Sequence, residues 1–304
     1  MEHVTGRFAP SPSGPLHLGN LACALMAYLS ARSQGGRFLL RIEDLDRQRC
    51  PRTWSEMALR DLEALGLEWD APPIWQSERD EIYRGCLDIL QKKGAVYPCF
   101  CTRAEIMQAS LAPNRGDTQR VYPGTCRYLP EEVRAEKMRT QRYAWRLRVP
   151  DREIGFTDRV QGEYVENLSR DCGDFVVRRS DGLFAYQLAV VVDDALSGVT
   201  EVVRGCDILS ATPRQIYLAQ LLGFPSPTYA HIPLLTDANG RRLAKRDHDV
   251  GFAVLRERMG IPRLRGLLGY AMGIWPRDAE ASMQELIDAF SWEHVHRDDV
   301  RLPC

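Results

Sequence analysis

The stretch Arg7-Phe8-Ala9-Pro10-Ser11-Pro12-Ser13-Gly14-Pro15-Leu16-His17-Leu18-Gly19-Asn20 carries the densest chemical signal in the chain. Three prolines and Gly14 deny it regular hydrogen bonding, and it runs into apolar residues at 18, 21, 22, 25, 28 and 29, which recur at helical spacing. A helix starting there points its free N–H groups and positive dipole end back at the loop, a place that suits an anion. Gly19 would let a nucleotide approach the backbone closely, and His17 could donate to a phosphate. The alternative is a proline-rich turn with a surface histidine. Neither a Walker phosphate loop nor a dinucleotide fingerprint occurs, so nucleotide binding would need this other device.

Three further groups of residues could do chemistry. Arg41-Ile42-Glu43-Asp44-Leu45-Asp46 places three carboxylates at the end of a predicted strand, where open α/β sheets bind ligands, although a solvated acidic turn would look the same. Cys99-Phe100-Cys101 and Tyr122-Pro123-Gly124-Thr125-Cys126 bracket a loop of 24 residues between Cys101 and Cys126. Zinc takes four ligands tetrahedrally, and with no histidine between Cys99 and Cys126 the fourth is open among Tyr122, Asp117 and water. Arg142, Arg146 and Arg148 flank Tyr143 and Trp145, a pattern that fits a strand with one charged face, for RNA or for solvent, and Arg256, Arg258, Arg263 and Arg265 are equally ambivalent. No Ser-His-Asp or Cys-His nucleophile constellation is recognisable.

The elements that must position these residues form an alternating pattern. Strands are predicted over 4–9 and 37–42, and helices over 18–34, 51–66 and 77–94, the last with Ser77 as N-cap. The pattern breaks between 97 and 174 and resumes with strands over 175–177, 184–192 and 199–204. A helix follows with Thr212 as N-cap, Pro213 in its first turn and Gly223 after its end; beyond 247 the text is helical, best over 256–272 and 282–290. The expected division is therefore 1–96 and 175–246 as two halves of one parallel-sheet domain, 97–174 as an insertion, and 247–304 as a helical end. The 304 residues hold 40 Lys+Arg against 41 Asp+Glu and 44% hydrophobic residues, which excludes disorder and a globally basic nucleic-acid binder. No run approaches the ~20 apolar residues of a membrane helix, and nothing at the start resembles a signal peptide, so a cytoplasmic, non-membrane protein is expected. Nine cysteines, an odd and scattered set, are expected to be reduced.

The 7–20 stretch resembles the first signature of class I aminoacyl-tRNA synthetases in the glutamyl/glutaminyl branch, with Asn20 where its last histidine stands. The resemblance implies a Rossmann-like catalytic domain with a zinc-type insertion, a short helical C-terminal region and no anticodon-binding domain. It implies that His17, Gly19 and Lys245 hold ATP, with His17 and Lys245 stabilising the phosphates, and that Mg2+ accompanies ATP. Arg242-Leu243-Ala244-Lys245-Arg246 stands where the second signature, Lys-Met-Ser-Lys-Ser, is expected. A glutamate pocket of Arg7, Phe8, Ala9, Pro10, Ser11, Glu43, Tyr186 and Arg204 follows, with Glu43 facing the ammonium and Arg204 selecting the side-chain carboxylate. Tyr186 alone would otherwise read as a core aromatic in an apolar strand. In the cysteine insertion the resemblance favours Tyr122 as fourth ligand of one structural Zn2+ beside Cys99, Cys101 and Cys126. Only 58 residues follow Arg246, too few for the helical anticodon region of full-length relatives. That shortness resembles the branch members that pass glutamate from glutamyl-adenylate to the cyclopentenediol of queuosine in the anticodon loop of tRNA(Asp). A monomer using ATP, L-glutamate and queuosine-containing tRNA(Asp) is expected. The rivals are a short enzyme charging the tRNA 3′ end and an inactive tRNA-binding paralogue.

Overall fold

The structure, a computed structural model, describes residues 3–109, 121–237, 240 and 251–302. Lys245 and the rest of the second-signature loop, together with Asp117, lie outside the described residues. Thr5–Phe8 pairs in parallel with Arg37–Ile42, Thr5 opposite Arg37 and Phe8 opposite Leu40, and Arg37–Ile42 pairs with Ile74–Trp75. A second parallel ladder joins Glu201–Gly205 to Thr228–Ile232, with Arg204 opposite His231. Thr5–Phe8 and Glu201–Gly205 lie in contact, tied by Thr200 N–H to the Thr5 carbonyl at 3.0 Å and Thr5 N–H to the Thr200 hydroxyl at 2.9 Å. The carboxyl ends of strands from both halves of the sequence thereby come side by side, the usual place for a ligand in an α/β sheet.

The helix Leu18–Ser33 follows the first strand and is apolar all round, with Leu21, Leu25, Met26 and Leu29 fully buried. Such a helix belongs inside, and it packs against both ladders and the C-terminal helices Ile261–Ala271 and Met283–Ala289. Between the two halves, Val96–Cys99, Ala144–Leu147 and Phe175–Arg178 form a small antiparallel sheet. The hairpin Glu153–Asp158/Gly162–Asn167 adds to the edge of the second ladder through Asp158 opposite Tyr229.

Several elements differ from the sequence expectation, each for a physical reason. The run expected as a strand over 184–192 is the helix Tyr186–Leu196. Residues 188 to 194 are all buried, so no polar face marked the helical period, and period alone cannot separate a short apolar strand from a buried helix. Ser77 is not an N-cap: it lies in a 3₁₀ turn, Gln76–Glu78, before the helix Asp80–Lys92, and its amide and hydroxyl both donate to Asp44. Thr212 is the first residue of the helix Thr212–Leu222, one position inside its expected place, while Gly223 ends that helix with φ 76°. The single helix expected over 256–272 is two, Phe252–Met259 and Ile261–Ala271, broken where Gly260 takes φ 77° ahead of Pro262. Nor do the arginines around Trp145 form one exposed charged face. Arg146 is buried and donates to the Asp174 carbonyl at 2.7 Å, and Arg148 lies over the Tyr97 ring and donates to the Arg127 carbonyl at 3.0 Å.

Candidate active site

A cavity of about 360 Å³ opens at the carboxyl ends of the strands. Arg7, Phe8, Ala9, Pro10 and Ser11 line it from the first strand and its loop, Glu43 from the second strand's end, Tyr186 from the buried helix, and Arg204 from the Glu201–Gly205 strand. His17 and Gly19 line it from the start of the Leu18–Ser33 helix. All the expected glutamate-pocket residues, with these two of the three expected ATP-binding residues, therefore share one wall system. The stretch that precedes the helix bends because Glu43 N–H donates to the Pro10 carbonyl at 2.9 Å and the Ser11 hydroxyl to the Glu43 carboxylate at 3.1 Å. Asn20 closes the helix start: its side-chain oxygen accepts the His17 backbone N–H at 3.2 Å, the return half of a capping box. A Cβ at Gly19 would sit 3.1 Å from Cε1 of His17, a tight contact to which the imidazole would have to yield. His17 also bridges to Gly251, where the described chain resumes after the basic loop.

The cations of the cavity are not equivalent. Nε and Nη2 of Arg7 donate to Asp194 at 3.1 and 3.3 Å, and Arg41 is ion-paired to the same carboxylate and to Glu43. Burial pushes Asp194 up, but Arg41 and Arg7 outweigh it and hold the carboxyl below its ordinary range. The Arg204 guanidinium instead donates to neutral acceptors: His231 Nε2 at 2.9 Å, Gln215 Oε1 at 2.7 Å and Thr212 Oγ1 at 2.6 Å. Its orientation is fixed by three bonds while its charge stays available. Burial pushes Glu43 up against the pull of Arg41, so its charged form would be favoured further by a cation brought beside it. A second cavity of about 350 Å³ shares Ser11, Ser13, Glu43 and Tyr186 with the first.

Several residues that build the site were not singled out in the sequence. Asp193 and Asp194 follow three valines, a position that reads as the polar end of an apolar run, yet both are buried. Asp193 accepts from Gln76 at 2.8 Å, Arg79 at 2.7 Å and Tyr83 at 2.7 Å. The available signal was two acids placed beside apolar residues instead of in a turn. Asp158 and His231 gave no local signal, because they meet across 73 residues of sequence, and nothing local marked Gln215 as a partner of Arg204.

The cysteine group assembles away from this cavity. Sγ atoms of Cys99, Cys101 and Cys126 lie within 4.8 Å of one another, with Cys101 and Cys126 at 3.5 Å. The Tyr122 hydroxyl stands 3.3 Å from Cys99 Sγ and 3.6 Å from Cys101 Sγ. A tetrahedral zinc with Zn–S of about 2.3 Å keeps its sulfurs roughly 3.8 Å apart, so the donor set suits a metal ion. Burial pushes the Cys101 thiol up to about 12; it pushes Cys126 up as well, but hydrogen bonds from the Phe100 backbone and from its cluster neighbours outweigh burial there and hold Cys126 below its ordinary value.

The sequence matches the family described as tRNA synthetases class I (E and Q), catalytic domain, over residues 3–298. The chain belongs to the class I tRNA synthetases of the E and Q branch. Among relatives of this synthetase, proteins named glutamyl-Q tRNA(Asp) synthetase are 54% identical in Thiobacillus denitrificans, covering 79% of this chain and 77% of that one, and 47% identical in Symbiobacterium thermophilum, covering 99% and 96%. A glutamate tRNA ligase from Elizabethkingia meningosepticum, solved with its amino acid, superposes with TM-score 0.85 at 31% identity over 99% of this chain and 67% of its own. No helix among the described residues of the synthetase is long and apolar enough to cross a membrane.

Replacing Cys101 by Ser removes one donor from the cluster. The purified variant is expected to carry less bound metal by elemental analysis and to melt at a lower temperature. Equal metal content and melting temperature would show that the cluster is not a metal site.

Proposed function

We propose that this synthetase activates L-glutamate with ATP and passes it to the cyclopentenediol of queuosine in the anticodon loop of tRNA(Asp). The observation that carries the glutamate reading is the charge arrangement of the cavity, where Glu43 and the unneutralised Arg204 line one space of about 360 Å³. Glutamate complements it, its ammonium on Glu43 and its side-chain carboxylate on the Arg204 fork, which can make two charge-assisted hydrogen bonds. An amide side chain brings no charge to that fork, so the acid is preferred over glutamine. Tyr186, Arg7 and the backbone of Phe8, Ala9, Pro10 and Ser11 complete the amino-acid side.

The α-carboxylate then attacks the α-phosphorus of ATP; the new P–O bond forms as pyrophosphate leaves, giving glutamyl-adenylate. His17 at the helix start and Lys245 from the basic loop hold the phosphates, with Gly19 leaving room for the nucleotide. Mg2+ bound with ATP supplies charge neutralisation. In the second step a cyclopentenediol oxygen attacks the glutamyl carbonyl carbon, its proton passes to the departing phosphate, and AMP leaves as the ester forms. The acceptor assignment is supported by the names of the relatives. The thiolates of Cys99, Cys101 and Cys126 with Tyr122 would hold Zn2+, which supplies a structural cross-link in the 97–174 insertion, the segment we assign to the approach of RNA.

Two measurements test this reading. Arg204→Ala should lose two charge-assisted bonds at about 1.5–3 kcal/mol each, a fall of roughly 10²–10⁴ in kcat/KM for glutamate-dependent ATP–pyrophosphate exchange, with ATP binding retained; normal exchange would remove Arg204 from the pocket. Labelled glutamate, ATP and magnesium offered to two tRNA pools, with and without queuosine, should label only the first. Equal label in both would mean charging of the 3′ end, and label in neither would mean an inactive tRNA-binding protein.

A further inference from the structure

Arg204 and His231 face each other across the parallel pair Glu201–Gly205/Thr228–Ile232, so their side chains leave the sheet on the same face and meet. Nε of Arg204 donates to Nε2 of His231 at 2.9 Å. A ring nitrogen that accepts carries no hydrogen, so the imidazole proton sits on Nδ1. Oδ2 of Asp158 lies 2.5 Å from that nitrogen. Asp158 is itself immobilised, because its carboxylate also accepts the backbone N–H groups of Val160 at 3.0 Å, Gln161 at 2.9 Å and His231 at 3.0 Å. His231 is fully buried and Asp158 is 2% exposed. Burial and the neighbouring Arg204 charge push His231 below its ordinary range, while hydrogen bonds from His231 and Gln161 hold Asp158 low against the upward push of burial. The pair is thus a carboxylate and a neutral imidazole of one tautomer.

We propose that Asp158 and His231 are positioning residues that aim Arg204 at the side-chain carboxylate of the amino acid while leaving its positive charge uncancelled. The cavity contains its own comparison. Arg7 donates directly to Asp194, and its charge is met inside the protein. At Arg204 the carboxylate is kept one ring away: the imidazole transmits direction through its hydrogen-bond axis, and Thr212 and Gln215 add two more neutral acceptors. A carboxylate in the place of His231 would hold the guanidinium equally well but would compete with an anionic ligand for it. The Glu153–Asp158 strand, which supplies Asp158, lies in the segment expected as an insertion, so that segment contributes to amino-acid selection as well as to RNA approach.

The inference rests on the reading of the cavity as a glutamate site, and its test separates the two. In ATP–pyrophosphate exchange, His231→Leu removes the acceptor and is expected to raise KM for glutamate by roughly tenfold or more, the worth of one charge-assisted bond, with KM for ATP unmoved. His231→Gln, whose amide oxygen can take the place of Nε2, should recover most of that loss. Unchanged KM for glutamate in His231→Leu, or equal impairment in both variants, would overturn the proposal. Should His231→Leu fail to fold, ¹⁵N shifts of the wild-type histidine decide. A pyrrole-type Nδ1 with a pyridine-type Nε2 is required, and an imidazolium or the opposite tautomer would overturn it. Wild-type enzyme that exchanges pyrophosphate without any dependence on glutamate would instead refute the glutamate reading and leave the tautomer result standing.

Discussion

Two adjacent buried carboxylates, Asp193 and Asp194, hold the halves of this molecule in register. They sit on the helix Tyr186–Leu196 and reach back to residues more than a hundred positions earlier, Asp193 to Gln76, Arg79 and Tyr83, and Asp194 to Arg7 and Arg41. Desolvating such charges costs several kcal/mol per ion, and the cost is offset only when every lone pair is engaged. The constraint is therefore geometric: the first strand, the second strand and the 76–83 segment must all arrive together. Removing Asp194 would take from buried Arg7 and Arg41 a carboxylate they share, and removing one side of such a buried pair is worse than removing both.

The same constraint sets the chemistry of the cavity. Asp194 and Glu43 together meet the charges of Arg7 and Arg41, so Arg7 shapes the wall without dominating its charge. Glu43, desolvated and paired with Arg41, and Arg204, aligned by neutral acceptors, both face the cavity. On the proposed reading, an α-amino acid with an acidic side chain places its ammonium on Glu43 and its carboxylate on Arg204, and selectivity for acid over amide rests on Arg204 being held by neutral acceptors.

The fold class and the site wall were legible in the sequence to the extent that local patterns carry them. The proline-rich 7–20 stretch, the acidic turn after Ile42 and the Cys-x-Cys with Tyr-x-x-x-Cys spacing are local, and their resemblance to a known branch placed Arg7, His17, Gly19, Glu43, Tyr186 and Arg204 in one site. What was not legible is non-local. Asp158, His231 and Gln215 take their meaning from partners 11 to 73 residues away in sequence, and the helix Tyr186–Leu196 hid its period because it is buried on every side. Ser77 and Thr212 were read as caps because their type suits that task; Ser77 instead donates to Asp44, and the Thr212 hydroxyl accepts from Arg204.

The central claim is that the Glu43 carboxylate and the Arg204 guanidinium orient the amino acid. A crystal structure with L-glutamate bound tests it most directly. The ammonium is expected on Glu43 and the side-chain carboxylate on the Nη atoms of Arg204, with the α-carboxylate turned toward His17. Glutamate bound the other way round, or seated with its side chain away from Arg204, would contradict the account.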